Sequence, residues 1–466
     1  MKPLRTLCTG LAPVHFFRAL SGVAAGLALV APPLSASPAK AVAAAKSGPA
    51  RTAKGLAQLP LGQGVEDFYR ARGNALLWLS PTAGSAGPML VETLKSATLD
   101  GLDPARYRTD TLDAALRSVA GSNDRKALLL ADQMLSSAFA DYVRDLRRVP
   151  ELGIIYVDPG LRPVAPSPRA ALLDAAAAPS LADYVATIGW ANPIYAKLRK
   201  ALATHSGATP QQRQLLMLNL ERARALPVGR GRYMIVNAAE QRLYIFEDGR
   251  ERDSMKVVVG KPKHPTPMMS AYVRFAAVNP YWYVPPDLAA ERIAPKVLKQ
   301  GLKYLDQLGH QVMSDWTPDA TILDPKTVDW KAVAEGKVEV RIRQLPGPHN
   351  SMGRMKFMFP NEEGIYLHDN PERELFSEAS RLYSGGCVRL EDAPRLGQWL
   401  FGRPLEWEGA GTEERVPLPD PVPVYISYLT AMPTGSGIAY FDDIYGRDAS
   451  RLAQLGQVKE STVAGR

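Results

Sequence analysis

GRYMIVNAAEQRLYIFEDGRERDSMKVVVG, residues 231–260, is where this chain changes character. Two short runs rich in aromatic and β-branched residues, YMIVN (233–237) and RLYIF (242–246), are followed by the turn EDG (247–249) and a third run, SMKVVVG (254–260). Short apolar runs separated by Gly and Asp turns are the pattern of β-strands joined by tight connections. The same pattern continues downstream in YVRFAAVN (272–279), KVEVRIRQL (337–345), MKFMFP (355–360) and GIYLHD (364–369). Residues 227–408 therefore read as a mainly β domain, a sandwich or a barrel. Between Pro286 and Val338 the strand pattern lapses, and PDLAAERIAPKVLKQGLKYLDQLGHQV (286–312) reads as a mostly helical insert, either a lid or a rigid cap. Residues 409–466 read as a C-terminal extension.

Upstream the texture is helical. PMLVETLKSATLDGL (88–102), TLDAALRSV (111–119), RKALLLADQMLSSAFADYVRDLRRV (125–149) and QQRQLLMLNLERARAL (211–226) carry apolar residues at spacings of three and four. Gly, Pro and Asp clusters such as VDPGLRPVAPSP (157–168) punctuate them. Residues 56–226 are thus a helical domain with no cluster of His, Cys or paired acids, and its expected role is structural. The fold class is α+β. With 466 residues and 46% hydrophobic residues, the chain is long enough for two or three domains with substantial cores.

The N-terminus has the form of an export signal. Lys2, Arg5 and Arg18 precede or flank the apolar run ALSGVAAGLALVA (19–31), and small residues follow. Residues 1–36 are expected as a signal peptide and 37–55, rich in Ala, Lys, Ser and Pro, as a flexible tether. A periplasmic location follows, with peripheral membrane association if the signal is retained. Loss of residues 1–36, which hold three basic residues and no acid, takes the net charge from +9 to +6. That suits an anionic wall polymer. No Lys/Arg run with interleaved aromatics supports nucleic-acid binding.

Of the two cysteines, Cys8 leaves with the signal, so Cys387 in YSGGCVRL (383–390) is a free thiol in an oxidising compartment. Most free cysteines are small buried apolar residues. Here Gly385 and Gly386 permit a tight turn that exposes the sulfur and gathers backbone N–H groups. His368 ends the run GIYLHD, 19 residues earlier, and is the candidate base for a thiol otherwise mostly protonated at neutral pH. A zinc site of His349, His368, Asp369 and Cys387 fits no compact ligand motif. No metal or organic cofactor is expected.

IYLHDN (365–370) followed by YSGGCVRL resembles the catalytic signature of the L,D-transpeptidases, which remodel peptidoglycan with a Cys–His pair in a β-rich domain. VVVGKPKHPTP (257–267), NPYWYVPP (279–286), GPHNSMGRMKFMFPN (347–361) and the tail VPVYISYLTA…FDDIYGRD (422–448) are similar to the large periplasmic members, whose catalytic domain follows a helical scaffold. The resemblance implies that Cys387 is the nucleophile and His368 its base. Arg389 would hold a substrate carboxylate or brace the loop, and the N–H groups of Gly386 and Cys387, beside Gly385, would form an oxyanion hole. Tyr383, Ser384, Asn279, Tyr281 and Trp282 would contact substrate. The implied reaction joins a donor tetrapeptide stem to an amine acceptor through a cysteine thioester, releasing D-alanine and cross-linking a wall on which cell shape depends. An L,D-carboxypeptidase or amidase using the same pair, or a catalytically silent wall-binding scaffold, are the alternatives. Two departures stand out: many members carry a histidine where this chain has Gly385, and the small peptidoglycan-binding module common in the helical half is not recognisable.

Overall fold

The computed structural model describes residues 62–204, 207–317, 319–406 and 412–454. The expected signal, the tether and Cys8 lie outside the described residues.

The helices expected upstream are present as Ala86–Lys95, Thr109–Val119, Arg125–Leu146 and Pro210–Ala223, with further helices at Gln63–Ala71, Pro168–Ala176, Leu181–Ala186 and Pro193–Thr204. Local chemistry starts several of them. The Asp124 carboxylate accepts from the N–H groups of Lys126 and Ala127, and Thr209 with Gln212 closes a reciprocal capping box ahead of Pro210. Trp78, Phe139, Tyr142, Trp190 and Tyr195 fill the centre of this helical domain.

The β domain is built from strands β1 (Ile155–Tyr156), β2 (Arg232–Asn237), β3 (Arg242–Glu247), β4 (Arg250–Gly260) and β5 (Met269–Val278). After them come β6 (Trp282–Val284), β7 (His310–Met313), β8 (Ile322–Leu323) and β9 (Arg341–Gln344). The last group is β10 (Met355–Met358), β11 (Leu367–His368), β12 (Leu382–Ser384), β13 (Val388–Leu390) and β14 (Glu414–Ser427). The ladder runs β5-β10-β11-β13-β4-β3-β2-β14, and β14 pairs back onto β5. The sheet therefore closes on itself as a barrel, which removes the exposed edges an open sheet would present. Of the two architectures left open by the strand pattern, this is the barrel.

Closure depends on β14, which lies beyond residue 408 in the segment expected as an extension. Val424–Ser427 run parallel to β2, and Glu414–Ile426 run antiparallel to β5 with a register shift between Pro417 and Val422. The sheet of the β domain thus extends well past the expected boundary. The strand escapes a sequence reading because Pro417, Pro419, Pro421 and Pro423 withdraw four N–H donors. Alternate residues of a strand point their N–H groups to the same edge. Pro417 and Pro423 stand opposite Phe275 and Tyr272 of β5, Pro419 and Pro421 fall within the register shift, and none of the four lies in the stretch that pairs with β2.

Strand alternation gives the barrel three environments. Inward residues, among them Val236, Leu243, Val257, Phe357, Leu367 and Val388, form one core. Outward residues Tyr233, Ile235, Tyr244, Phe246 and Tyr425 merge with the core of the helical domain. The insert has its own core around Val284, Leu288, Ile293, Trp330 and Ile342. It is less helical than its sequence pattern suggests: short helices (Ala294–Gln300, Lys303–Gln307, Trp330–Ala334) pack on a four-stranded sheet ordered β6-β9-β7-β8. HQVM, too short to declare itself a strand, is made one by antiparallel pairing with β9, more than 25 residues away.

Candidate active site

Two short parallel strands build the site. On β11 and β13, Leu367 pairs with Val388 and His368 with Arg389. Since Leu367 and Val388 point into the barrel core, alternation turns Tyr366, His368, Cys387 and Arg389 to the opposite, outer face. The candidate nucleophile and base thus share one wall of the barrel, under the insert.

His368 is 2% exposed. Its Nδ1 lies 2.6 Å from the carbonyl oxygen of Asp369, which assigns the N–H to Nδ1 and leaves the Nε2 lone pair as the proton acceptor. Burial pushes its pKa down to about 3, with the positive charge of Arg389 as the next cause. Cys387 is half-buried, and its Sγ donates at 3.5 Å to the carbonyl of Gly364. Desolvation pushes the thiol up to about 11 against hydrogen bonding from Tyr366 and the charge of Arg389. At neutral pH the resting pair is accordingly a thiol and a neutral imidazole.

The turn before Cys387 is held from within. Ser384 is buried, donates its hydroxyl to the carbonyl of Cys387 at 2.6 Å and accepts from the N–H of Gly386 at 3.1 Å. Of the two expected oxyanion donors, the Gly386 N–H is therefore engaged, and the Cys387 N–H remains. Gly386 has φ +117°, a conformation L side chains rarely adopt, and an added Cβ would press on Ile365 at 3.2 Å. At Gly385 an added Cβ would lie 3.0 Å from Leu288 of the insert. Leu288 occupies the space a histidine would need there, which gives that departure a steric reason.

Arg389, 8% exposed, donates through Nη1 to Asn370 (3.2 Å) and Glu372 (2.7 Å). It braces the loop after His368, while its Nε has no partner. Tyr383 is exposed, and its carbonyl accepts from Arg292 of the insert at 3.0 Å. Trp282 is buried in the insert core and also lines the cavity beside Arg389. Tyr281 and Asn279 sit at the base of the insert: the Tyr281 carbonyl accepts from Lys356 and the Asn279 N–H donates to the carbonyl of Arg354. Their geometry ties them to the framework of the site and not to Cys387 itself.

Sequence reasoning did not single out Leu288, Tyr366, Arg292 or His310. Tyr366 was within reach, as it shares the odd-even register of His368 in IYLHD; the others come to the site through the fold of the insert. His264, in the loop after β4, bonds Glu291 of the insert at 3.2 Å, and Lys261 and Lys263 pair with the same carboxylate. Among the described residues no group of three or more His, Cys, Asp or Glu is arranged to hold a metal ion.

Residues 231–424 match the family model described as the L,D-transpeptidase catalytic domain, and residues 63–202 match a scaffold domain. A curated Haemophilus influenzae protein, provisionally named an L,D-transpeptidase, is 28% identical over 290 residues, covering 59% of this chain and 57% of that protein. The chain thus spans little more than half the length of that relative. Among solved structures, an L,D-transpeptidase from Mycobacterium smegmatis is 16% identical, with TM-score 0.20, over 42% of this chain and 59% of that one. L,D-transpeptidase 3 from Mycobacterium tuberculosis gives 16% identity and TM-score 0.20 over 42% and 60% of the respective chains. The helical region followed by a mainly β catalytic domain is the arrangement expected from the sequence.

Proposed function

We propose that this chain, whose residues 231–424 match the L,D-transpeptidase catalytic domain and whose residues 63–202 match a scaffold domain, cross-links peptidoglycan stem peptides through Cys387, with His368 as the base. The observation that carries the proposal is the shared outer face of β11 and β13, where His368 keeps Nε2 free by donating Nδ1–H to Asp369.

The chemistry follows from the resting protonation states. Both partners are neutral, so the thiol proton passes to His368 Nε2 as sulfur attacks the amide carbonyl of the donor stem. A dry site that disfavours a standing thiolate also protects the thiol between turnovers. Negative charge that develops on the carbonyl oxygen is stabilised by the Cys387 N–H, a donor of the kind worth about 2.7–4 kcal/mol. The C–N bond breaks, His368 returns the proton to the leaving amine, and D-alanine departs from a thioester. The amine of a second stem then attacks; the new C–N bond forms, the C–S bond breaks, and the amine's proton returns to sulfur through His368. Exclusion of water favours the amine over hydrolysis. No cofactor enters these steps. Action in the periplasm, after export by residues 1–36, belongs to the same proposal.

The test is to incubate the purified protein and its Cys387→Ala variant with disaccharide-tetrapeptide and follow products by mass spectrometry. Cross-linked dimer with loss of alanine, formed only with the cysteine, is expected. Trimmed monomer alone would make the protein a carboxypeptidase, and unchanged substrate with a thiol inert to alkylation would overturn the enzymatic proposal.

A further inference from the structure

A cavity of about 620 Å³ lies between the insert and the loop that follows His368, and Tyr383 and Arg389, which bracket Cys387 in the chain, both line it. His310, the first residue of β7, is 7% exposed and also lines it, yet neither ring nitrogen has a hydrogen-bond partner. The ring is stacked on Tyr304 at 5.9 Å and meets Trp282 edge-on at 6.4 Å. Burial pushes its pKa down to about 4, the charge of Lys296 adding to the effect. The imidazole is therefore neutral and offers one donor and one acceptor, both unmet. An apolar ring would serve the packing without that cost, so the two nitrogens call for a polar ligand.

The walls give the ligand's charge. Arg292 and Lys296 stand on the insert side, and Arg389 presents its unpartnered Nε from the barrel side. Glu372 is bonded to Arg389, and Glu374 adds a second carboxylate on the loop side. Arg292 and Lys296 on the insert side, facing Glu372 and Glu374 beside Arg389, fit a small molecule bearing a carboxylate and an amine on neighbouring atoms.

We propose that this cavity binds the α-amino carboxylate head group on the amine side of the reaction, with His310 as a specificity-determining residue that recognises the carboxylate together with Lys296 and Arg292. The assignment rests on the transpeptidase proposal. Two species carry that head group, the departing D-alanine and an incoming amino-acid acceptor, and they occupy the same side of the carbonyl, since one step is the reverse of the other in form.

Calorimetric titration of the Cys387→Ala protein with D-alanine and with D-alaninamide tests recognition apart from turnover. D-alanine is expected to bind at least tenfold more tightly than the amide, and adding His310→Phe, which keeps the stacked ring, is expected to remove that preference. Equal binding of the two probes, no detectable binding of D-alanine, or an unchanged preference in the His310→Phe protein overturns the proposal. In the protein with Cys387 intact, an acceptor pocket predicts that His310→Phe raises the acceptor KM more than it lowers kcat. A leaving-group pocket predicts weaker inhibition by added D-alanine with the acceptor KM unmoved. If no thioester forms on Cys387 from the donor, the transpeptidase proposal fails, whereas the calorimetric result stands or falls independently.

Discussion

Two buried polar clusters of this molecule invite comparison, one in the helical domain and one between the insert and the barrel. In the first, Asp100 accepts from Tyr142 at 2.7 Å, Tyr195 at 2.5 Å and Arg199 at 2.8 Å. Asp132 likewise accepts from the N–H groups of Leu77 and Leu79 and from Tyr69. In the second, His310 has no partner at either nitrogen, Arg389 keeps a bare Nε, and Cys387 and His368 are desolvated into their neutral forms. Apart from half-buried Cys387, depth of burial is similar, and satisfaction differs. A satisfied cluster ties elements together; an unsatisfied one holds capacity for a ligand or a reaction.

Mutation should separate the two most sharply at Cys387, the proposed nucleophile. Cys387→Ala is expected to lower acyl transfer by at least about a thousandfold, as removal of a catalytic nucleophile does, with a urea midpoint close to that of the parent. Next comes Asp100→Ala, which leaves Arg199 buried without its carboxylate. It should cost about 3–5 kcal/mol in equilibrium urea unfolding, while activity per folded molecule changes little. A loss of activity larger than the loss of folded protein would show that the helical domain does more than support the barrel. Gly386→Ala places a side chain at φ +117° against Ile365. A cost of about 1–3 kcal/mol is expected, accompanied by a fall in kcat, because the strained turn is the one that carries Cys387. Ser384→Ala removes the acceptor of the Gly386 N–H and the donor to the Cys387 carbonyl. About 1 kcal/mol of stability should go with it, read by the same unfolding assay.

A further prediction concerns pH dependence. His368 and His310 have folded-state values near 3 and 4, below the ordinary 6.5. Between these limits the unfolded chain binds more protons than the folded one, so their contribution to stability is present above 6.5 and is lost as pH falls toward 4 and 3. Urea midpoints from pH 7 to pH 4 should decline, and His310→Phe should make the decline shallower. For catalysis, a base already neutral in the resting site implies that kcat/KM does not drop near pH 6.5; a drop there would mean that His368 is far less desolvated than its burial suggests.

Much of this was legible from the residues in order. The run 231–260 announces the barrel's first strands, and its hairpins form between neighbours in the chain, β2 with β3 and β3 with β4. Cys387 and His368 stand out because a lone thiol after two glycines and a strand-end imidazole are unusual in themselves. Their common face could be anticipated from the period of two, once Leu367 and Val388 are assigned inward. The closing strand was hidden by its prolines, and the β-sheet of the insert by strands too short to carry a pattern.

Residue order determined which groups could react and which local elements would form, because side-chain chemistry, caps and alternation act over a few residues. Tertiary structure decided their environment. Leu288 against Gly385, the return of β14 to β5, and the enclosure of His310 beside Arg389 all join segments far apart in the chain. Burial and electrostatic neighbourhood, which set protonation and leave polar atoms partnered or bare, are sums over such distant contacts. No local pattern encodes them.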